Sequence, residues 1–120
     1  MRVINSIIVH HTYGHEGARY HYLVMPDGDV IRQWPISQPG RHTWRRNAHS
    51  VAVAYIGGPG DTRTPAQKQA LLQLLAKLVT MYRCRVAGHN NFTAVDDCPG
   101  FDASTEFSGL YDQIVLENGR

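Results

Sequence analysis

The chain has 120 residues, of which 42% are hydrophobic and 18% are charged, which favours one packed domain over residues 1–120 and excludes a disordered charged tail. Twelve Lys and Arg residues against ten Asp and Glu residues give a net charge of +2, which by itself does not indicate a nucleic-acid-binding protein. Seven histidines and only two cysteines exclude a disulfide framework and leave room for a metal site built mostly from imidazole.

The N-terminal segment has one basic residue and a short apolar run that Asn5 and Ser6 interrupt, without the small-residue cleavage site of a signal peptide. No stretch reaches the roughly 20 apolar residues that a membrane span requires. We therefore expect a first strand over residues 4–10, synthesis in the cytoplasm and no membrane partner.

The next elements are strands. Residues 20–25 and 30–33 are strand-like and flank a turn that contains Pro26 and Gly28, which predicts a hairpin. Residues 51–56 show no polar alternation, as expected for a central strand that is covered on both faces.

The clearest helix begins after Thr64, which forms a capping box with Gln67 and precedes a proline at the first helical position. Apolar residues then recur at helical spacing: Leu71, Leu74, Leu75, Leu78, Val79 and Tyr82. A short strand over residues 85–87 follows. A last helix is predicted over residues 103–116, with these side chains inward: Phe107, Leu110, Ile114 and Val115. The fold class predicted is α/β (mixed α+β), a central mixed sheet flanked by helices.

Three residues of metal-binding type follow or end strands. His10 ends the first strand, His89 follows the short strand, and Cys98 lies nine residues after His89. Ligands collect at strand ends in such folds, and two imidazoles with one thiolate leave a fourth position open, as in catalytic zinc sites. From spacing alone the alternatives remain open, since strand-end histidines often only donate hydrogen bonds and Cys98 fits an inert core thiol.

Six segments in the same order resemble the zinc-dependent N-acetylmuramoyl-L-alanine amidases, the group that contains phage lysozyme-type amidases and peptidoglycan recognition proteins. They lie at residues 7–12, 20–30, 50–58, 64–71, 88–92 and 98–102. The resemblance implies a mixed sheet packed by helices and a zinc ion held by His10, His89 and Cys98. It also implies that Tyr20 is a catalytic hydroxyl beside the metal and that His42 lines the substrate groove.

The chain departs from this family in two ways. Many catalytic members carry a lysine two residues before the cysteine, where this chain has Asp96, either a catalytic base or a solvated side chain. Thr93 is a candidate substitute hydroxyl. Larger members insert a helix between the first histidine and the tyrosine, but only nine residues separate His10 from Tyr20. We therefore expect a more open groove, with one wall missing or built from a loop.

Polar residues near these ligands have more than one interpretation. His11, Asp97 and Asp102 are candidates to orient metal ligands, and a surface or capping role suits them equally. Arg45 and Arg46 beside Trp44 fit a solvated loop, or contact with the carboxylates of a peptide stem. A nucleic-acid partner is not expected.

The resemblance implies a zinc amidase that cuts the bond between N-acetylmuramic acid and L-alanine in bacterial peptidoglycan. We expect a monomer. A phage or prophage endolysin, which acts on the cell wall once the membrane is permeabilised, is the expected role; a muropeptide-recycling enzyme or a delivered toxin fits the same residues. The alternative of another class is a non-catalytic protein that binds peptidoglycan or muropeptides. A purely structural zinc site would instead need a fourth protein ligand, such as Asp97 or His11.

Overall fold

A five-stranded mixed sheet forms the centre of the fold. The computed structural model describes residues 2–118, so residue 1 and residues 119–120 of the predicted domain lie outside the described residues. The strands are β1 Ser6–His11, β2 Tyr22–Val24, β3 Val30–Arg32, β4 Ser50–Tyr55 and β5 Val86–Gly88, arranged in the order β3-β2-β4-β1-β5. β1 pairs in parallel with β4 and β5, β2 pairs in parallel with β4, and β2 and β3 are antiparallel. The predicted mixed sheet, hairpin and central strand are confirmed.

Side-chain alternation along β1 and β4 separates two faces of the sheet. Val9 and Val53 belong to the large core, which also contains apolar side chains of the helices. His10 follows Val9 and lies in register with Ala54. On that opposite face, Ala52 and Ala54 pack against Tyr20, which is only 3% exposed. The small alanine side chains thus leave room for an aromatic ring next to His10.

The long helix α1, Pro65–Tyr82, has the predicted capping box. The Thr64 hydroxyl accepts the Gln67 backbone N–H at 3.0 Å, and the Gln67 side-chain oxygen accepts the Thr64 backbone N–H at 2.9 Å. Its apolar stripe is buried against the sheet through Leu71, Leu75, Leu78 and Val79. No helix within residues 2–118 has the length and apolar character needed to cross a membrane.

The C-terminal segment differs from the prediction of one helix. It forms α2, Ala103–Glu106, and α3, Ser108–Asn118, with Phe107 between them. Phe107 is buried against the core, with its ring centroid 6.2 Å from that of Phe101, and its backbone leaves the helical conformation. The predicted helix is thus interrupted at one residue, whose ring is buried in the core. Val115, predicted to face inward, is 48% exposed.

Candidate metal centre

Four side chains with metal-binding atoms converge at the carboxyl edge of β1 and β5. His10 is the penultimate residue of β1, and His89 begins the 3₁₀ turn that follows β5. Parallel strands end at the same edge of a sheet, which brings both imidazoles to the loop that contains Cys98. One ligand atom from each of His10, His89, Cys98 and His15 lies within 4.8 Å of the others. The three residues predicted as ligands are thus brought together, with a fourth that the sequence did not indicate.

A chain of hydrogen bonds fixes the ring of His10. Its Nδ1 atom lies 3.7 Å from Cys98 Sγ, and its Nε2 atom lies 3.0 Å from His42 Nδ1. His42 Nε2 in turn lies 3.3 Å from the Ser50 hydroxyl, which donates to the Arg46 carbonyl at 2.7 Å. Because the Ser50 proton is directed to the Arg46 carbonyl, the Ser50 oxygen accepts from His42 Nε2–H, and His42 Nδ1 accepts from His10 Nε2–H. The lone pair of His10 is therefore on Nδ1, the atom that faces the cluster. Burial lowers the pKa of His10 well below its ordinary value and that of His42 to about 3, which keeps both neutral.

The Cys98 thiol is buried and is held by backbone groups. Its sulfur accepts the His11 backbone N–H at 3.2 Å. The Cys98 backbone N–H is itself accepted by the Asp96 carboxylate at 3.0 Å. Burial raises the pKa of the thiol to about 12, so a cation must displace the thiol proton in order to bind sulfur.

His89 supplies a buried nitrogen without a partner. Its Nδ1 atom is buried and makes no hydrogen bond to any described residue. The closest acidic group is Asp96 Oδ2 at 3.7 Å, which is too far for a hydrogen bond. Burial lowers the pKa of His89, which favours the neutral ring that a metal requires. A buried, unpaired imidazole nitrogen beside a thiol and a second imidazole fits a cation that takes nitrogen and sulfur ligands.

Tyr20 lies beside this cluster, where the resemblance predicts it. Its ring centroid is 5.2 Å from that of His10, and its hydroxyl oxygen is 3.0 Å from His15 Nδ1. Burial, and then the nearby Cys98 and Asp96, raise the pKa of the phenol above its ordinary value. Tyr20 is therefore a protonated hydroxyl, suited to donate a hydrogen bond rather than to act as an anion.

Comparisons with known proteins agree with this geometry. A sequence model of the family described as N-acetylmuramoyl-L-alanine amidase matches residues 1–101. The chain belongs to this amidase family. Over 89 residues it is 35% identical to an endolysin of Klebsiella phage KP32, an alignment that covers 69% of this chain. The match covers only 59% of the length of that endolysin.

Solved structures of amidases and endolysins share the fold. The N-acetylmuramoyl-L-alanine amidase LysC from Clostridium intestinale URNW superposes with a TM-score of 0.77 at 22% identity, covering 94% of this chain and 86% of that chain. The Ph2119 endolysin from Thermus scotoductus MAT2119 bacteriophage Ph2119 gives a TM-score of 0.72 at 26% identity, covering 92% and 86%. The predicted amidase-like fold is confirmed.

His15 is the member of the cluster that sequence reasoning missed in this amidase-family chain. Its Nδ1 atom lies 4.0 Å from Cys98 Sγ, and its Nε2 atom lies 2.7 Å from Asp96 Oδ2. The available signal was the short connection between His10 and Tyr20. A loop of nine residues has to pass close to both, and His15 lies at its middle.

Asp96 takes the place of the lysine of many amidases, and its surroundings are those of a carboxylate. Burial raises its pKa, but the hydrogen bonds from His15 and from the Cys98 backbone hold the pKa below its ordinary value. The neighbouring candidates have other partners. Asp97 lies 3.4 Å from His11 Nε2, and Asp102 caps α2 by accepting the Thr105 backbone N–H, which is the capping role. The Thr93 hydroxyl accepts the backbone N–H of Val95.

A cavity of about 470 Å³ opens next to the candidate metal centre. His15 and His42 line it together with Arg41 and Trp44, so His42 contacts both the cavity and His10. Trp44 is 80% exposed at this rim. The predicted substrate-binding arginines are not among the lining residues: Arg45 stacks on Trp44 at 4.4 Å, and Arg46 stacks on Phe92 at 4.7 Å.

Proposed function

We propose that the protein is a zinc-dependent N-acetylmuramoyl-L-alanine amidase, which hydrolyses the amide bond between N-acetylmuramic acid and L-alanine in bacterial peptidoglycan. The observation that carries the proposal is the cluster of His10, His89 and Cys98 beside the protonated Tyr20 hydroxyl, in a chain of the amidase family.

His10, His89 and Cys98 would hold the zinc ion. Two neutral imidazoles and one thiolate are a donor set that catalytic zinc sites use. When bound, zinc supplies a Lewis acid that polarises the scissile carbonyl and makes hydroxide available near neutral pH. The buried His89 Nδ1 atom, which has no hydrogen-bond partner among the described residues, supports this assignment.

The catalytic hydroxyl would be that of Tyr20. Because the phenol stays protonated, it donates a hydrogen bond to the oxygen on which negative charge develops as the amide carbon becomes tetrahedral. Asp96, a carboxylate, has no proton to donate to such an oxygen. We infer that its carboxylate accepts a hydrogen bond from His15 Nε2, 2.7 Å away, and that Asp96 is therefore a positioning residue.

The substrate would enter through the cavity that His42 and Trp44 line. Arg45 and Arg46 lie on the same loop, where their guanidinium groups would meet the carboxylates of the peptide stem. Reversal of both charges, in R45E/R46E, is expected to slow digestion of cell walls. Unchanged digestion would assign both side chains to a solvated loop.

The biological role that fits best is that of a phage or prophage endolysin acting on the host cell wall, as a monomer. The 35% identity to an endolysin supports this role. A recycling enzyme or a delivered toxin would use the same residues on the same bond.

The test is to purify the protein, measure bound zinc and follow the release of free N-terminal L-alanine from purified cell walls. We expect about one zinc ion per chain and steady release of alanine. Zinc-loaded protein that releases none at several pH values would overturn the proposed activity. Retained binding to the walls would then identify the non-catalytic peptidoglycan-binding alternative.

A further inference from the structure

We propose that His15, held by Asp96, is a fourth protein ligand of the zinc ion and closes its coordination sphere until substrate displaces it. This inference rests on the proposed function, because it concerns the same ion. It assigns a regulatory role to the loop between His10 and Tyr20, where the sequence indicated a groove wall that is missing or built from a loop.

The spacing of the donor atoms carries the first step. Around a tetrahedral zinc ion, nitrogen and sulfur ligands at their usual bond lengths lie about 3.3–3.8 Å from one another. The Cys98 sulfur lies 3.7 Å from His10 Nδ1 and 4.0 Å from His15 Nδ1. His15 therefore approaches the sulfur almost as closely as a predicted ligand does, and small movements bring both to ligand spacing.

The outer nitrogen of His15 gives the second step. Nε2 lies 2.7 Å from the Asp96 carboxylate, to which Nε2–H donates a hydrogen bond, and in the neutral ring the lone pair is then on Nδ1. A carboxylate that holds the outer nitrogen of a histidine is the usual support of a metal ligand. Nδ1 lies 3.0 Å from the Tyr20 hydroxyl and 3.0 Å from the His11 carbonyl oxygen, so a cation that binds Nδ1 has to take the place of both contacts.

The position of His15 between the cavity and the cluster gives the third step. Its side chain lines the cavity of about 470 Å³ and also faces Cys98. Gly14 and Gly17 flank it with φ angles of 74° and 76°, and a Cβ at either position would meet no atom within 4 Å. The loop therefore turns at two glycines around which there is open space. Because His15 lies between the cavity and Cys98, a substrate carbonyl that reaches the zinc ion from the cavity has to replace His15.

The other candidate fourth ligands are less well placed. His11 Nε2 lies 3.4 Å from Asp97 Oδ1, and these two residues group with Asp96 rather than with Cys98. His11 Nδ1 is buried without a partner among the described residues, but His11 is not a member of the group that contains Cys98. Four protein ligands are typical of structural zinc sites, whereas catalytic sites keep one position open. A fourth ligand on an exposed loop allows one site to be closed at rest and open with substrate.

Zinc affinity, measured by competition with a chromophoric chelator, provides a readout that does not depend on activity. Loss of a residue that merely orients a ligand costs about 10–100-fold in affinity, so H15A is expected to raise the zinc Kd at least about 10-fold. D96N should raise it by a smaller factor. H49A removes an exposed imidazole whose Nδ1 atom lies 3.0 Å from the Val3 carbonyl, outside the cluster, and should leave the Kd unchanged.

Cobalt substitution tests direct ligation. The visible absorption of Co²⁺-loaded H15A should differ from that of the wild type, and added imidazole should restore the wild-type spectrum because it fills the vacated position. Imidazole should leave the wild-type spectrum unchanged. X-ray absorption of the zinc-loaded wild type, which requires no variant, should show three imidazoles and one sulfur.

The proposal would be overturned if X-ray absorption showed that two imidazoles, one sulfur and one oxygen bind zinc in the wild type. An unchanged Kd and an unchanged cobalt spectrum in H15A would also overturn it. These results are separable from those of the cell-wall assay. A three-imidazole site without alanine release would contradict only the proposed activity, whereas alanine release from a two-imidazole site would contradict only the role of His15.

Discussion

The Nε2 atom of His10 lies 3.0 Å from the Nδ1 atom of His42. A proposed metal ligand is thus held by a second, neutral histidine where many metal sites use a carboxylate. His42 belongs to the cavity wall as well, so the same ring connects substrate contact with the orientation of His10.

Removal of this support should weaken metal binding. In H42A the ring of His10 loses its closest hydrogen-bond partner, and Thr43 at 3.4 Å remains. We expect the zinc Kd to rise by about 10–100-fold. A chelator competition assay measures this, with H49A as the matched control. A wild-type Kd in H42A would restrict His42 to the substrate groove.

Cys98→Ser should abolish both zinc binding and alanine release, because a serine hydroxyl is a far poorer zinc ligand than a thiolate. Cys84→Ser makes the same chemical change in the helix-side core, where Cys84 is 6% exposed. The C84S variant should keep its zinc. Metal analysis after dialysis distinguishes the two, and activity in C98S would show that the proposed ligand set is wrong.

Tyr20→Phe should keep zinc and lose most of the reaction rate. Removal of one hydrogen-bond donor to a developing oxyanion typically lowers kcat by about 10²–10³-fold. Tyr22→Phe is the matched control, since Tyr22 packs against the helix-side core. Steady-state kinetics on purified cell walls measures both. Loss of zinc from Y20F would instead indicate a structural role for the tyrosine.

The metal-free protein should lose stability as the pH falls below about 6.5. His21 is buried, with Nε2 2.8 Å from the Gln38 carbonyl and Nδ1 accepting the Ala52 N–H at 3.0 Å. Burial lowers its pKa, and Arg2 adds to this shift, whereas the unfolded chain keeps the ordinary value of about 6.5. Between these two values the unfolded state binds more protons, so the free energy of unfolding is highest above pH 6.5 and falls as the pH decreases.

Urea denaturation in the presence of a chelator, at pH 7.5 and at pH 5, measures this loss. H21Q should show a shallower pH dependence than the wild type, and H49Q should match the wild type. Some dependence should persist in H21Q, because burial also lowers the pKa of His10, His42 and His89. Equal slopes for H21Q and the wild type would contradict the assignment to His21.

Arg63→Ala should destabilise the fold by about 2 kcal/mol, between the values typical of exposed and of fully buried ion pairs. The Arg63 side chain is 3% exposed, bridges Asp61 and Glu106, and lies 3.4 Å over the Phe101 ring. Arg85→Ala breaks an exposed pair with Asp112 and should cost less than about 1 kcal/mol. Denaturant midpoints compare the two variants; equal losses would contradict the buried role of Arg63.

Much of the fold follows from local signals. The capping box at Thr64 and the apolar stripe of α1 concern residues within a few turns of one helix, and both predictions are confirmed. The same local reasoning missed the interruption of the helix at Phe107, a buried residue whose ring lies beside that of Phe101.

For the candidate site, the sequence indicated the strand-end positions of His10 and His89, and the resemblance added Cys98 and Tyr20. Neither indicated His15, since its significance depends on contacts with Cys98 and Asp96 that lie 83 and 81 residues away.

By itself, then, the sequence determined the strands, the capped helix and the kinds of chemical group available. Those properties depend on backbone propensity and side-chain period, which act over a few residues. Only the tertiary structure decided which side chain forms a hydrogen bond with each histidine of the site. It brings His42 within hydrogen-bond distance of His10, and Asp96 within hydrogen-bond distance of His15. Sheet pairing fixes the strand ends, and the short loops then leave each ring few positions. Hydrogen-bond partners selected by packing, rather than by sequence distance, complete the site.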